Sequence, residues 1–375
     1  MKKKITILAN DDLLNGPSLA QFRFAKSLAK KGFKVELLIA KRYYKYDLKR
    51  FENKDIKLID LNTNRTLFLI IPLFKYFIQH KPFVIFSAGD HLNLITIISA
   101  LLSFTSCKLS LSSRVTPYDT YKNKNKIEFK SNTNKNSKFL FILFKILNWR
   151  ADVLTCVSKD MVKQYQEIFG KTKHECVYNI VRDDDVLKLK NEDITDQWII
   201  KNKPPYIIAA GRLAIWKGFD DLINAYSLIK NKIPHKLIIL GDGEEKQNLK
   251  KLIKEKNLEE YIFMPGYVSN PLKYFEISDI FVLSSLSEGM PNVMIEAMMC
   301  GCTPVSTNCM TGPSEIIKDN EYGYLSPIKD HKTLAENILN AVKKPISKKK
   351  LDEVVSKFDA NLVIKKHFNL LKIKI

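Results

Sequence analysis

Short apolar runs and segments of helical period take turns along almost the whole chain. "ITILA" is a strand-length run, and "SLAQFRFAKSLAKKG" follows it with Leu19, Phe22, Ala25, Leu28 and Ala29 at helical spacing and Gly32 at the stop position. "FKVELLIA", "FVIFSA", "KLSLSSR" and "ADVLTCVS" read as further strands, with "HLNLITIISALLSF" and "MVKQYQEIFG" as helices among them. Residues 187–203, "LKLKNEDITDQWIIKNK", are charged and lack a clean strand period, so they read as a linker. Alternation then restarts through "PYIIAAGRL", "FDDLINAYSLIKNK", "HKLIILGDG", "EEKQNLKKLIKEKN", "YIFMPG", "DIFVLSS", "NVMIEAMMCG" and "TPVSTN". Two helical segments, "HKTLAENILNAVKK" and "ANLVIKKHFNLLKIK", close the chain. Strands alternating with helices predict parallel, doubly wound α/β sheets. The pattern predicts two Rossmann-like domains, 1–190 and 191–350, facing a cleft, with a C-terminal helix in 351–375.

Composition supports two packed interiors and adds a charge. The chain has 375 residues, 45% of them hydrophobic, and 61 Lys+Arg against 40 Asp+Glu, a formal net charge of +21. Such an excess predicts an anionic partner: nucleic acid, a phosphorylated ligand or an acidic lipid surface. Cys107, Cys156, Cys176, Cys300, Cys302 and Cys309 show no CxxC or zinc-like spacing and read as reduced packing residues, suited to a cytoplasmic compartment. "MKKKITILANDD" has too short an apolar run for a secretory signal, and "LNLITIISALLSF" is too short to span a bilayer. One biased stretch, "YKNKNKIEFKSNTNKNSK", is a basic loop followed by the aromatic-rich "FLFILFKILNW". Together, over 121–149, they predict contact with an anionic membrane surface.

The richest chemistry sits in "SLSEGMPNVMIEAMMCG". Glu288 and Glu296 stand eight steps apart, which on one helix would place them about 80° apart and two turns distant. Gly289 and Pro291 between them predict a different geometry. Proline favours a first helical turn, so the helix starts near Pro291, Glu288 lies on the loop before it, and Glu296 lies in its early turns. Free amides at such a terminus attract anions, and carboxylates accept hydrogen bonds from sugar hydroxyls. "AAGRLAIWKGFD" puts Arg212 and Lys217 at the carboxyl end of a strand, where two cations suit a diphosphate. "LIILGDGEE" adds Gly241 and Gly243, which permit close backbone approach.

In this order, "GRL…KG", "LGDG" and "SEGMPNVMIEAMMCGCTPVSTN" resemble glycosyltransferase family four, and "RADVLTCVSKDMV" and "VYNIV" look like its N-terminal signposts. The resemblance implies a GT-B fold whose C-terminal helix crosses back to the N-terminal domain, and a metal-independent, retaining transfer from a nucleotide-sugar. It implies that Glu288 binds hydroxyls of the donor sugar and Glu296 the nucleotide ribose. Arg212 and Lys217 would neutralise the diphosphate leaving group, with amides of Gly289, Met290 and Asn292 assisting. Gly16, in "LLNGPS", matches one glycine of the family's first phosphate loop, but Pro17 follows it and offers no amide. Arg114 and Thr116, in "SSRVTPY", stand where the family often has a histidine, and are assigned to sugar or acceptor contact. "NCMTGPSEII" resembles a variant of hexosamine and galactose transferases of surface glycans.

The expected enzyme moves a hexose or N-acetylhexosamine from a UDP-sugar to a lipid-linked saccharide or lipopolysaccharide, at the inner face of the cytoplasmic membrane. GDP-mannose transfer, a sugar-nucleotide epimerase of the same fold and a basic nucleic-acid binder are the alternatives. A phosphorylase would need a pyridoxal lysine motif, which is not found. The DxD in "RDDDV", Asp183 to Asp185, reads as an acidic hinge loop, and His91 and His174 as isolated histidines.

Overall fold

Two parallel sheets carry the chain in a computed structural model that describes residues 4–11, 16–41, 53–63, 65–117, 135–170, 173–201, 203 and 205–374. The chain divides into Met1–Ile180 with Ala360–Ile375, and Val181–Asp359.

In the first unit the elements run β1 (Lys4–Asp11), α1 (Gly16–Lys30), β2 (Lys34–Lys41), β3 (Ile56–Asp60), α2 (Ile70–His80), β4 (Val84–Ala88), α3 (Asp90–Leu102), β5 (Lys108–Ser113), α4 (Lys135–Leu147), β6 (Val153–Cys156), α5 (Lys159–Phe169) and β7 (His174–Cys176). The sheet order is β3-β2-β1-β4-β5-β6-β7, all parallel, so the order reverses between β1 and β4. Strands buried on both faces need helices on both. Ile5, Ile7, Leu37 and Phe86 pack against Phe22 and Leu28 of α1 on one face. Leu8, Leu38 and Leu109 pack against Leu73, Phe77 and Leu94 of α2 and α3 on the other.

The second unit holds two short helices, α6 (Asp184–Lys188) and α7 (Gln197–Lys201), then β8 (Tyr206–Ala210), α8 (Phe219–Ser227), β9 (Lys236–Leu240), α9 (Lys246–Glu255), β10 (Ile262–Gly266), α10 (Leu272–Glu276), β11 (Ile280–Leu283), α11 (Asn292–Met299), β12 (Thr303–Thr307), α12 (Pro313–Ile317), β13 (Tyr324–Ser326), α13 (His331–Lys343) and α14 (Lys348–Ser356). Its sheet runs β10-β9-β8-β11-β12-β13 and reverses between β8 and β11. Helix α15 (Ala360–Leu370) returns to the first unit, where Lys108 donates to Leu371 O at 2.6 Å and Phe33 meets Phe368 edge-on.

Several expectations change. The division falls after Ile180, not 190, and the returning segment begins at Ala360, not 351, because α14 belongs to the second unit. The stretch expected as a linker is partly helical: Tyr274 and Lys273 donate to Asp196 and to Asp193 O, tying it to α10. "RDDDV" is a helix start rather than an open acidic loop, with Asp183 capping α6 by accepting from the Asp185 amide at 2.9 Å. Pro72, which breaks the hydropathy of its segment, is the third residue of α2, where a missing amide leaves no helical bond unmade. Of the stretch 121–138 expected as a basic loop, 121–134 lies outside the described residues and 135–138 belongs to α4. Among the described residues no helix is long and apolar enough to cross a membrane, and all six cysteines are free.

His174 is buried in β7 against Tyr165 and Phe169, with neither ring nitrogen partnered. Burial pushes it down to about 4 from an ordinary value near 6.5. A depressed histidine stabilises the fold above its unfolded value and loses that contribution as pH falls. Stability is therefore expected to drop by about 3 kcal/mol between about pH 6.5 and 4 from this group. Urea titrations across that range should show a shallower decline for His174→Phe than for the wild type.

Candidate active site

The second sheet decides where the sequence motifs meet. Ligands of open parallel sheets sit outside the carboxyl ends of the strands where the order reverses. Here that point lies between β8 and β11, and the loops leaving those two strands carry Arg212, Lys217, Glu288, Gly289 and Met290.

Lys217 closes a 3-10 turn (Ile215–Lys217) after β8. Its Nζ lies 2.5 Å from Glu288 Oε1, although the two stand 71 residues apart, with side chains 19% and 10% exposed. Ser285 donates to the same carboxylate oxygen at 2.6 Å, and the Thr311 hydroxyl donates to Glu288 O. Ser284 donates to Lys217 O at 2.9 Å, and the Leu286 amide donates to Trp216 O at 2.8 Å. The two loops are therefore stitched backbone to side chain and backbone to backbone. Glycines permit that proximity. Gly218 has φ +59°, and a Cβ there would stand 2.2 Å from Ser284 O. Gly241 has φ +142°, and a Cβ would stand 1.8 Å from Gly211 O. The ammonium and carboxylate are thus pre-positioned rather than free to swing, which is how fixed charges stabilise a developing charge without reorganising.

Helix α11 starts at Asn292 with Pro291 in the capping position, as the sequence predicts. Glu288 lies on the preceding loop. Glu296 is the fifth residue of α11 and is 6% exposed. Asn292 donates its amide to Met290 O at 2.9 Å, within the loop. Arg212 stands apart from the Lys217–Glu288 pair. It is 65% exposed, donates from Nε to Glu244 at 3.1 Å, and stacks over Trp216 at 5.7 Å. Serving a diphosphate would require Arg212 to leave Glu244, a surface pairing of modest strength.

Ser285, Thr311 and Ser284 were not singled out in the sequence. Ser285 left a readable trace, three residues before Glu288. Thr311 left none, since its position beside Glu288 depends on β12 lying next to β11.

The remaining sequence candidates belong to the first unit. Gly16 opens α1 with φ +42° and open space around it. Thr116 is buried and donates to Gln164 at 2.6 Å, which gives its hydroxyl a packing role. Arg114 follows β5 and faces a small polar cavity.

Residues 190–358 match the family described as Glycosyl transferases group 1. An uncharacterized glycosyltransferase of Methanocaldococcus jannaschii is 32% identical over 254 residues, 65% of this chain and 60% of that protein. An N-acetylgalactosamine-N,N'-diacetylbacillosaminyl-diphospho-undecaprenol 4-alpha-N-acetylgalactosaminyltransferase of Campylobacter jejuni is 32% identical over 207 residues, 55% of this chain and 54% of that one. The chain thus spans little more than half the length of these curated relatives. HepE of Anabaena, solved in complex with UDP, superimposes with a TM-score of 0.76 over 99% of this chain and all of that one, at 16% identity. That likeness establishes the fold. Residues 190–358, which carry the Lys217–Glu288 pair, thus match the group 1 glycosyl transferases, and the chain has a GT-B fold.

Proposed function

We propose that this protein transfers a hexose or N-acetylhexosamine from a UDP-sugar to a lipid-linked saccharide or lipopolysaccharide, with retention of anomeric configuration and without a metal ion. The observation that carries the reading is the Lys217–Glu288 pair at the β8/β11 switch point. Held against Glu288 Oε1, Lys217 gives its remaining hydrogen bonds to the phosphates of a nucleoside diphosphate, and Glu288 accepts hydrogen bonds from sugar hydroxyls through its other oxygen. The bond from the anomeric carbon to the phosphate oxygen breaks while the acceptor oxygen bonds that carbon on the same face. The acceptor proton passes to a phosphate oxygen, and Lys217 and Arg212 offset the charge left on the diphosphate. Glu296 holds the ribose, and the loop amides of Gly289 and Met290 face the leaving group.

The printed names of relatives support the acceptor class. One acts on a diphospho-undecaprenol saccharide, and a lipopolysaccharide core glycosyltransferase of Rhizobium meliloti is 29% identical over 175 residues. UDP in the HepE complex supports the choice of base. The test is a thermal-shift panel of UDP- and GDP-sugars followed by product analysis with a radiolabelled donor. A midpoint raised by UDP-sugars alone, with label passing to a lipid-extractable product, supports the proposal; a response only to GDP-sugars overturns the donor assignment.

Peripheral binding at the inner face of the cytoplasmic membrane completes the reading. In the first unit Phe68, in the 3-10 helix before α2, and Ile71, in the first turn of α2, are 63% and 65% exposed. Phe139 and Ile146 of α4 and the nearby Trp149 are exposed to a similar degree. Apolar side chains on a strongly basic protein suit an anionic bilayer, where charge attraction and apolar burial add. The pair Phe68→Glu and Trp149→Glu is expected to cut co-sedimentation with anionic vesicles about tenfold or more, because it replaces buried apolar area with repelled charge. Donor binding in the same variants should be unchanged.

A further inference from the structure

The first unit holds a half-buried cation with no anion beside it among the described residues. Arg114 leaves β5 on the side of the sheet that α1 and α15 cover, and reaches a cavity of about 10 Å³ lined by Gln21, Ser87, Ser112, Asn179 and His367. Among the described residues it enters no ion pair, and its Nε is buried without a hydrogen-bond partner. The nearby Asp90 is turned to the other side, accepting from Ser113 at 2.6 Å and Tyr165 at 2.5 Å. Burial lowers Arg114 only to about 10, so the guanidinium stays charged at neutral pH. Removing part of a guanidinium from water without giving it a partner costs free energy, and an anion at the cavity would offset that cost.

The lining says what that something is. Ser87 Oγ and His367 Nδ1 are likewise buried without partners. Burial holds His367 down to about 3, so the ring is neutral and able to donate. Gln21 spends its amide nitrogen on Leu8 O and Phe86 O. No carboxylate lines the cavity. A guanidinium, hydroxyls and a neutral imidazole form a set that gives hydrogen bonds to an anion. The volume admits a single oxygen-sized atom, and Arg114 itself retains partial exposure, so the pocket opens at the guanidinium.

We propose that Arg114 is the centre of an oxyanion site in the first unit, taking one oxygen of a phosphate group carried by the acceptor, while the rest of that group stays at the mouth. The site lies at the carboxyl end of β5, beside β4 and away from the donor loops of the second unit in sequence. The acceptor assignment rests on the transferase reading above; the oxyanion site does not.

The experiment uses the full chain saturated with UDP, so that the Lys217 loops are occupied, and titrates inorganic phosphate and pyrophosphate by calorimetry. Wild type is expected to bind, and Arg114→Gln to lose at least tenfold in affinity. Without phosphate Arg114→Gln should melt at or above the wild-type temperature, because it removes an uncompensated charge, and phosphate should shift the midpoint of wild type only. Ser87→Ala, which leaves the charge in place, is expected to weaken phosphate binding by a few-fold and keeps the question answerable should Arg114→Gln not fold. Equal binding by wild type and variants, or none by wild type, overturns the site. Absence of a UDP response would instead count against the transferase reading, leaving the phosphate result intact. The source of the oxyanion is read from two acceptors differing only in a phosphate or an uncharged linker. A raised KM of Arg114→Gln confined to the phosphorylated acceptor, with donor KM unchanged, supports the acceptor as its carrier. Equal effects on both acceptors would assign the site to free phosphate and overturn that part.

Discussion

Glu288→Gln is expected to lower kcat/KM for sugar transfer by at least about 100-fold, because a charged hydrogen-bond acceptor fixed against the donor is replaced by a neutral one. Glutamine keeps an oxygen where Ser285 and Lys217 now donate to Glu288 Oε1. The fold should therefore lose less than the roughly 3–5 kcal/mol that follows when a buried pair is broken outright. The thermal midpoint separates the two effects: a folded but inactive variant is the expected result, and a folded variant with full activity would sink the assignment of this pair. Lys217 also depends on Glu288 for its position. With the carboxylate gone, the ammonium is free to follow solvent, so UDP affinity should fall several-fold while kcat falls much more. A loss confined to KM would mean that Glu288 helps only to bind the donor and does not act at the transition state.

Gly241→Ala is expected to destabilise the second unit by about 4 kcal/mol or more, a loss of the size reserved for named structural faults. Two faults coincide. The residue has φ +142°, a backbone conformation in which a side chain is strained, and its Cβ would stand 1.8 Å from Gly211 O. The atom in the way is backbone of the loop leaving β8, so relief would push that loop away from its neighbours. Lys217 and its contacts to Glu288 lie farther along the same loop. Gly301 offers the control. Its φ is +98°, yet no atom lies within 4 Å of the position a Cβ would take. Gly301→Ala should carry the conformational penalty alone, about 1–2 kcal/mol. Urea unfolding of both variants measures the difference. If the two lose equal stability, the close approach at Gly241 is not what makes glycine necessary there.

The helix start at Pro291 illustrates what can be read directly. Proline at a first turn is a local preference, so its consequence for Glu288 and Glu296 follows without knowing any neighbour. The same holds for the strand runs of both sheets, whose apolar character reflects burial on two faces. The short helices α6, α7 and α10 were not legible, because each is held by contacts from elsewhere, such as Tyr274 with Asp196, more than by its own periodicity. Helix α14 was not legible for a related reason: it follows Pro345 and opens on a run of lysines, and only burial of Leu351, Val354 and Val355 marks its inner face.

The sequence by itself determined the β–α alternation, the glycines and the loop-then-helix placement of the two acids, since these depend on interactions within a few residues. Only the tertiary structure decided which charges meet. Strand order sets β8 beside β11, and that places Lys217 against Glu288 across 71 residues while Arg212, five positions before Lys217, pairs with Glu244 at the surface. The same dependence on strand order leaves Arg114 half-buried without a carboxylate, since Ser113 turns to Asp90 on one side of the sheet and Arg114 to the cavity on the other. Side chains alternate across an extended segment, so the single step from Ser113 at the end of β5 to Arg114 separates the partner of a satisfied acid from an unsatisfied base.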